Sequence, residues 1–217
     1  GDINYFPLLE KISQYKKKVI ISSGLSNLKI IDRAFKILKK NKLIILHCIC
    51  KYPSLEIDYN LLSLKAIIKK YGSSYKYGLS DHTKSSLVAC LSIGLGATYI
   101  EKHFLPNEKV KNTGDYSLSL NPKELKNFIN DLNYTSKVLG EPIKKKFDCE
   151  IPFEKSLRRS PYSSRSIKIG QKLKKNDIKY IRPYSKIGIE NHEIKKFIGR
   201  KLKQNLKINS LIKKTIF

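Results

Sequence analysis

The stretch from Tyr77 to Phe104 constrains the fold more than any other part of the chain. It holds Gly78-Leu79-Ser80-Asp81-His82 and, one structural unit later, Ile100-Glu101-Lys102-His103-Phe104. Each motif lies where a short apolar strand passes into a loop. Between them, Lys84 to Gly94 is expected to be a helix, with Leu87, Val88, Leu91 and Leu95 as the stripe that packs on a sheet. A strand-helix-strand unit sets two parallel strands side by side, about 4.8 Å apart, with both carboxyl ends on one face. His82 and His103 then point into one cavity, as a metal site or an acid/base pair. The plainer alternative is that each imidazole only caps its strand.

The rest of the first two thirds repeats this rhythm. Lys18 to Ser23 and Leu43 to Cys48 are continuous apolar runs, which suit strands buried on both faces. The helix between them has Ser26 or Asn27 as its cap and Leu28, Ile31, Ala34, Phe35 and Leu38 on one side. Tyr59 to Tyr71 reads as a further helix, Tyr75 to Leu79 as a third strand and Thr98 to Glu101 as a fourth. A longer loop, Leu105 to Leu118, carries Asn112-Thr113-Gly114-Asp115. Asn121-Pro122-Lys123-Glu124 then opens a helix that Gly140 stops. Polar residues gather after each strand, so the expected fold class is α/β with a parallel sheet that binds its ligand at the carboxyl end. Four such strands do not close a barrel and would leave apolar edges. Gly1 to Pro7 reads as the loop after a strand outside the sequence, so the missing strands are expected in a segment before Gly1.

Composition changes at Glu141. Residues 143–156 read as a linker. From Leu157 onward, short alternating segments (Ser164 to Ile169, Ile178 to Arg182, Gly199 to Leu206) and a helix-like Glu193 to Phe197 describe a small, loop-rich β domain. Lys-Ile-Gly at 168–170 and Lys-Ile-Asn at 207–209 sit in similar settings and suggest an internal repeat. The expected domains are therefore 1–142 and 157–217.

The net charge of +26 raises the question of nucleic acid. Its distribution argues against that partner: Lys covers every helix face and loop and far outnumbers Arg, the residue suited to bidentate base and phosphate recognition. Positive potential of this kind would still draw in an anionic substrate. No apolar run is long enough to span a bilayer, and no signal peptide opens the sequence. The four cysteines at 48, 50, 90 and 149 lack paired spacing, and Cys48-Ile49-Cys50 is too tight for a usual zinc knuckle. Reduced, buried thiols in a cytoplasmic protein are the expectation.

Taken together, Ile21-Ser22-Ser23-Gly24, Leu46-His47-Cys48, Tyr52-Pro53, Gly78 to Thr83, Ile100 to Phe104, Gly114-Asp115, Arg158-Arg159-Ser160 and Ile181-Arg182-Pro183 resemble the sialic acid synthase family. These motifs fall in the family's order over nearly the whole chain. The resemblance implies the last four strands of a (β/α)8 TIM barrel followed by a small β-clip domain of the SAF, or antifreeze-like, type. It implies condensation of phosphoenolpyruvate with an N-acylated hexosamine such as N-acetylmannosamine, with release of phosphate and a requirement for divalent Mn or Mg. His82 and His103 match the metal ligands, and the metal would act as a Lewis acid on the open-chain aldehyde. Ser80 matches a contact to the phosphate of phosphoenolpyruvate, with Ser22 or Ser23 assisting. Tyr52 and Asp115 match positions that hold the sugar, and Asp115 is carried with the two histidines into the catalytic set. Arg182 matches a residue that reaches the N-acyl group from the other subunit of a domain-swapped homodimer.

Two departures stand out. Cys50 occupies a substrate-site position where the family commonly has Asn or Ser, and a thiol is a weak donor. The Gly-rich turn after Arg182-Pro183 is replaced by Tyr184-Ser185-Lys186. The family's N-terminal half supplies further phosphate-binding Lys and a Glu, so these residues alone are expected to be inactive. The alternatives are a legionaminic or pseudaminic acid synthase, or a non-catalytic module that binds a sugar or a partner.

Overall fold

The computed structural model describes residues 1–106 and 114–217. Of the expected loop after the fourth strand, Asn112 and Thr113 lie outside the described residues. The chain divides into two compact units, Gly1–Glu141 and Pro142–Phe217.

In the first unit, four parallel strands, β1 (Val19–Ser22), β2 (Leu43–Cys48), β3 (Lys76–Asp81) and β4 (Tyr99–Lys102), lie in sequence order. Register runs Ser22↔Leu46, Cys48↔Ser80 and Ser80↔Glu101. All six residues of β2 are buried, as expected of a central parallel strand. Among the described residues β1 and β4 have a strand on one side only, and Ile20 of β1 is 53% exposed.

The helices are α1 (Phe6–Ser13), α2 (Leu28–Ile37), α3 (Leu62–Tyr71), α4 (Leu87–Gly94) and α5 (Pro122–Leu139). Asn27, not Ser26, caps α2: its Oδ1 accepts from the amides of Lys29 (3.0 Å) and Ile30 (3.1 Å). Ile31, Ala34, Phe35 and Leu38 are buried against Leu43, Ile45 and Tyr77. At α5 the capping box forms in both directions, Glu124 N to Asn121 Oδ1 and Asn121 N to Glu124 Oε2, each 2.9 Å.

Three expectations are corrected here. Gly1 to Pro7 is not a loop: Asp2–Asn4 is a 3-10 turn and Phe6 and Pro7 begin α1, which buries Leu9. The helix expected from Tyr59 starts at Leu62. Glu56–Tyr59 is a separate 3-10 turn, and Asn60 turns left-handed (φ 39°), which an α-helix cannot pass through. In α4 it is Val88, Ala89 and Ser92 that are buried, while Leu87 and Leu91 are more than half exposed. Small residues on that face allow the close approach of α4 to β3 and α5, and periodicity weighted by side-chain size misplaces the stripe.

In the second unit, residues 143–156, expected as a linker, contain a 3-10 helix (Asp148–Phe153) and enter α6 (Glu154–Leu157). Antiparallel β5 (Ser160–Ser163) and β6 (Ile178–Ile181) follow. Ser164 to Ile169 is not a strand; only Ile167 is bridged, to Leu206. Residues 167–177 and 206–216 trace the same path: a bridge, a turn at a positive-φ residue (Gly170 at 81°, Asn209 at 62°), and a 3-10 turn (Lys175–Asp177, Lys214–Ile216). The repeat suggested by three residues thus extends over eleven, and its apolar positions Ile167, Leu173, Leu206, Ile212 and Ile216 meet in one core. Arg165 closes the first copy with a fork on Asp177, Nε to Oδ1 at 2.6 Å and Nη2 to Oδ2 at 3.2 Å.

Candidate active site

Because side chains alternate along a strand, one face of the first unit's sheet collects Ser22, Cys48, Ser80, His82, Glu101 and His103, while Ile21, Ile45, Tyr77, Leu79 and Ile100 turn to the helices. The packing keeps this polar face narrow. A Cβ on Gly78 would lie 2.2 Å from Tyr99 O and 2.6 Å from Leu46 Cδ2, so only glycine lets β3 and β4 come this close. A Cβ on Gly24 would lie 2.2 Å from Cys50 Sγ and 3.2 Å from Cys48 Sγ, so the glycine makes room for both thiols beside β1.

The two imidazoles meet at the carboxyl ends of β3 and β4, with ring centroids 5.2 Å apart and planes at 65°. Tyr52 lies against both, 4.3 Å from His82 and edge-on to His103 at 6.0 Å. His82 is held at three points. Its ring Nδ1 is 2.8 Å from the Ile49 carbonyl, its amide is 2.6 Å from Tyr59 Oη, and its carbonyl accepts from Ser54 N at 3.1 Å. A carbonyl can only accept, so Nδ1 carries the proton and Nε2 keeps its lone pair. Burial lowers the His82 pKa, against the opposing pull of the Ile49 carbonyl, so the ring is neutral at pH 7. Nδ1 of His103 lies 3.5 Å from Asp115 Oδ2, and its carbonyl accepts from Leu120 N at 3.0 Å.

On the polar face, Ser80 Oγ donates to Glu101 Oε1 at 2.6 Å. Ser22 Oγ is sealed from solvent, with the Cys48 thiol as its weak polar neighbour. Burial pushes the Cys48 thiol pKa up, which keeps it protonated. On the helix-facing side, Lys102 Nζ pairs with Asp81 Oδ2 at 3.0 Å and also donates to the Thr83 carbonyl; Asp81 Oδ1 accepts from Thr83 N (2.9 Å) and Oγ1 (2.8 Å). Both charges are almost completely buried, and the pair locks together the strand ends that carry the histidines.

Of the expected site residues, the structure gathers His82, His103, Tyr52 and Asp115 into one constellation and sets Ser80, Ser22 and Cys50 on the same end of the sheet. Ser23 is set apart from them: it alternates to the opposite face, where its carbonyl receives Ser26 N (3.3 Å) and Oγ (2.6 Å). Arg182 belongs to the second unit, where Nε donates to the Leu157 carbonyl at 2.9 Å. Sequence reasoning did not single out Glu101 and Tyr59. Glu101 could have been found by alternation, two residues before His103. Nothing in the sequence marks Tyr59, whose role depends on the path of the loop after β2.

Among the described residues, no group of three or more His, Cys, Asp or Glu side chains could hold a metal. The His82 imidazole, with its lone pair on Nε2, and that of His103 would suit a cation whose other positions are filled by water or ligand oxygens, a donor set compatible with Mn.

Comparison with known proteins identifies the family. Residues 1–144 match the model of the NeuB family. An uncharacterised protein of Methanocaldococcus jannaschii is 34% identical over 98% of this chain and 62% of its own length. The N,N'-diacetyllegionaminic acid synthase of Legionella pneumophila is 32% identical over 95% of this chain and 58% of its own. The crystal structure of N-acetylneuraminic acid (sialic acid) synthetase from Leptospira borgpetersenii superposes with a TM-score of 0.63 at 32% identity, over 72% of this chain and 55% of that one. The chain thus spans about three fifths of the length of the curated relatives it matches. On the match over residues 1–144, the chain belongs to the NeuB family.

Proposed function

We propose that this chain is part of a nonulosonic acid synthase that condenses phosphoenolpyruvate with an N-acylated hexosamine, such as N-acetylmannosamine, giving a sialic-type acid and phosphate. The observation that carries the reading is the approach of His82 and His103 to 5.2 Å at the ends of adjacent strands, on the polar face of the sheet. In the reaction, C3 of the enol bonds to the aldehyde carbon, water adds at C2, and phosphate leaves. His82 and His103 would hold a divalent Mn or Mg ion, which supplies Lewis acidity toward the aldehyde.

The chain's own groups do the rest of the positioning. Tyr52, tilted against His82, offers an apolar wall and a hydroxyl to the sugar, and partial desolvation, with the neighbouring Cys50 thiol, keeps that hydroxyl neutral by raising its pKa. Asp115, beside His103, would accept from sugar hydroxyls. Ser80 and, once uncovered, the Ser22 hydroxyl would serve the phosphate; Ser80 must turn from Glu101 to donate to it. Cys50, a weak donor where a stronger one would grip the substrate, bears on which amino sugar is accepted.

The same reading takes the four strands as half of a (β/α)8 barrel and the second unit as an SAF-type β-clip domain. Its Arg182 would reach the N-acyl group within a domain-swapped homodimer. The expected setting is the cytoplasm, and among the described residues no helix is long and apolar enough to cross a membrane. The test is phosphate release by the full-length protein given phosphoenolpyruvate, Mn and a panel of N-acylated hexosamines. Release with at least one sugar, abolished by His82→Ala and by His103→Ala, is expected. No release with any sugar would end the proposal.

A further inference from the structure

β2 and β3 stay in register to the pair Cys48↔Ser80. In a parallel ladder the next rung, Ile49 opposite Asp81, would set the Ile49 amide and carbonyl between the Ser80 carbonyl and the His82 amide, which point the same way because they are two residues apart. The chain instead turns at Cys50, where Lys51 N bonds back to the Ile49 carbonyl at 3.0 Å. That turn draws the Ile49 carbonyl to Lys51 N and the His82 ring, and would leave the His82 amide buried without its ladder partner, beside the imidazole the site depends on.

Tyr59 fills this gap. It is completely buried, and its hydroxyl accepts from His82 N at 2.6 Å and donates to Ser80 O at 3.1 Å, one acceptor and one donor where a strand residue would have given the same two. The Tyr59 carbonyl is fixed in turn by His47 Nε2 at 2.7 Å. Because Tyr59 completes the rung, β2 is free to turn away and present the Ile49 carbonyl to the ring Nδ1 of His82. One side chain thereby allows both the backbone anchor and the ring anchor of that histidine.

Resting on the reading of His82 as a cation ligand, we infer that Tyr59 is a positioning residue, whose hydroxyl substitutes for a missing rung of the sheet and so fixes the tautomer and direction of the His82 imidazole. Phenylalanine would fill the same volume, so the hydroxyl alone carries this role.

The test is Tyr59→Phe in this chain, with two readouts. Proton-nitrogen spectra of the His82 ring are expected to show one Nδ1–H tautomer in the parent chain and a mixture in the variant. Mn affinity, followed by the electron paramagnetic resonance of free Mn, is expected to fall about tenfold in a variant that remains folded by circular dichroism. A purely structural role would lower the melting temperature and leave the tautomer alone. A folded variant with an unchanged tautomer would overturn the inference. His82→Ala separates the two readings: if Mn binding survives it, the metal assignment fails, while the tautomer still decides the role of Tyr59. Should Tyr59→Phe not fold, 3-fluorotyrosine incorporated at position 59 alone keeps the hydroxyl but weakens it as an acceptor; shifted His82 ring nitrogens are then expected, and unshifted ones would refute the inference.

Discussion

Replacing Lys102 with Met separates what holds the strand ends together from what they present. Lys102 and Asp81 have side-chain exposures of 4% and 0%, and the ammonium also serves the Thr83 carbonyl. Methionine matches the length of the lysine stem but leaves the Asp81 carboxylate buried with only its two Thr83 partners. Removing one member of a buried ion pair typically costs about 3–5 kcal/mol, because the charge left behind has neither water nor a counterion. That is a large share of the roughly 5–15 kcal/mol that holds a domain folded. Urea unfolding followed by circular dichroism would read it as a lower midpoint with an unchanged slope. Adding Asp81→Asn to Lys102→Met removes the stranded charge and should restore about 1–3 kcal/mol, the coupling typical of contacting residues. Glu101→Gln, an exposed carboxylate next in sequence, should stay within about 1 kcal/mol of the parent. A Lys102→Met variant no less stable than Glu101→Gln would refute the assignment of the pair as the clamp of β3 and β4.

Other expectations follow from the packing and the charges. Gly78→Ala forces a methyl against the Tyr99 carbonyl, which the sheet fixes, and should destabilise the first unit by at least about 2 kcal/mol in the same unfolding assay. In the second unit, burial alone would raise the Asp177 pKa, but the Arg165 fork and the Lys174 amide outweigh it and hold it below its usual value. A depressed carboxylate pKa gives stability that is present above the unfolded value, about 3.9, and lost as pH falls through the folded one. Thermal melts of the parent should therefore drop below about pH 4, and Arg165→Leu should narrow the difference between pH 6 and pH 3.

The layered part of the fold was legible because its signals are local. The apolar run 43–48, the cap at Asn121 and the βα spacing each fix an element without reference to the rest of the chain, and β2 and α5 form where those signals place them. The meeting of His82 and His103 follows from parallel strands of matched length. What stayed hidden depends on contacts distant in sequence. The start of α3 turns on the left-handed Asn60, the buried face of α4 on how closely it packs, and the side taken by Ser23 on where β1 ends. Tyr59 looks like any helix aromatic in the sequence; only the early turn of β2 gives its hydroxyl a function.

The central claim is that these two histidines direct their Nε2 atoms at one cation. Anomalous diffraction from crystals soaked in Mn, recorded on either side of the Mn absorption edge, tests it most directly. The account predicts a single strong site within about 2.3 Å of Nε2 on both His82 and His103, a usual metal–ligand distance. Manganese bound elsewhere, or at only one of the two rings, would contradict it.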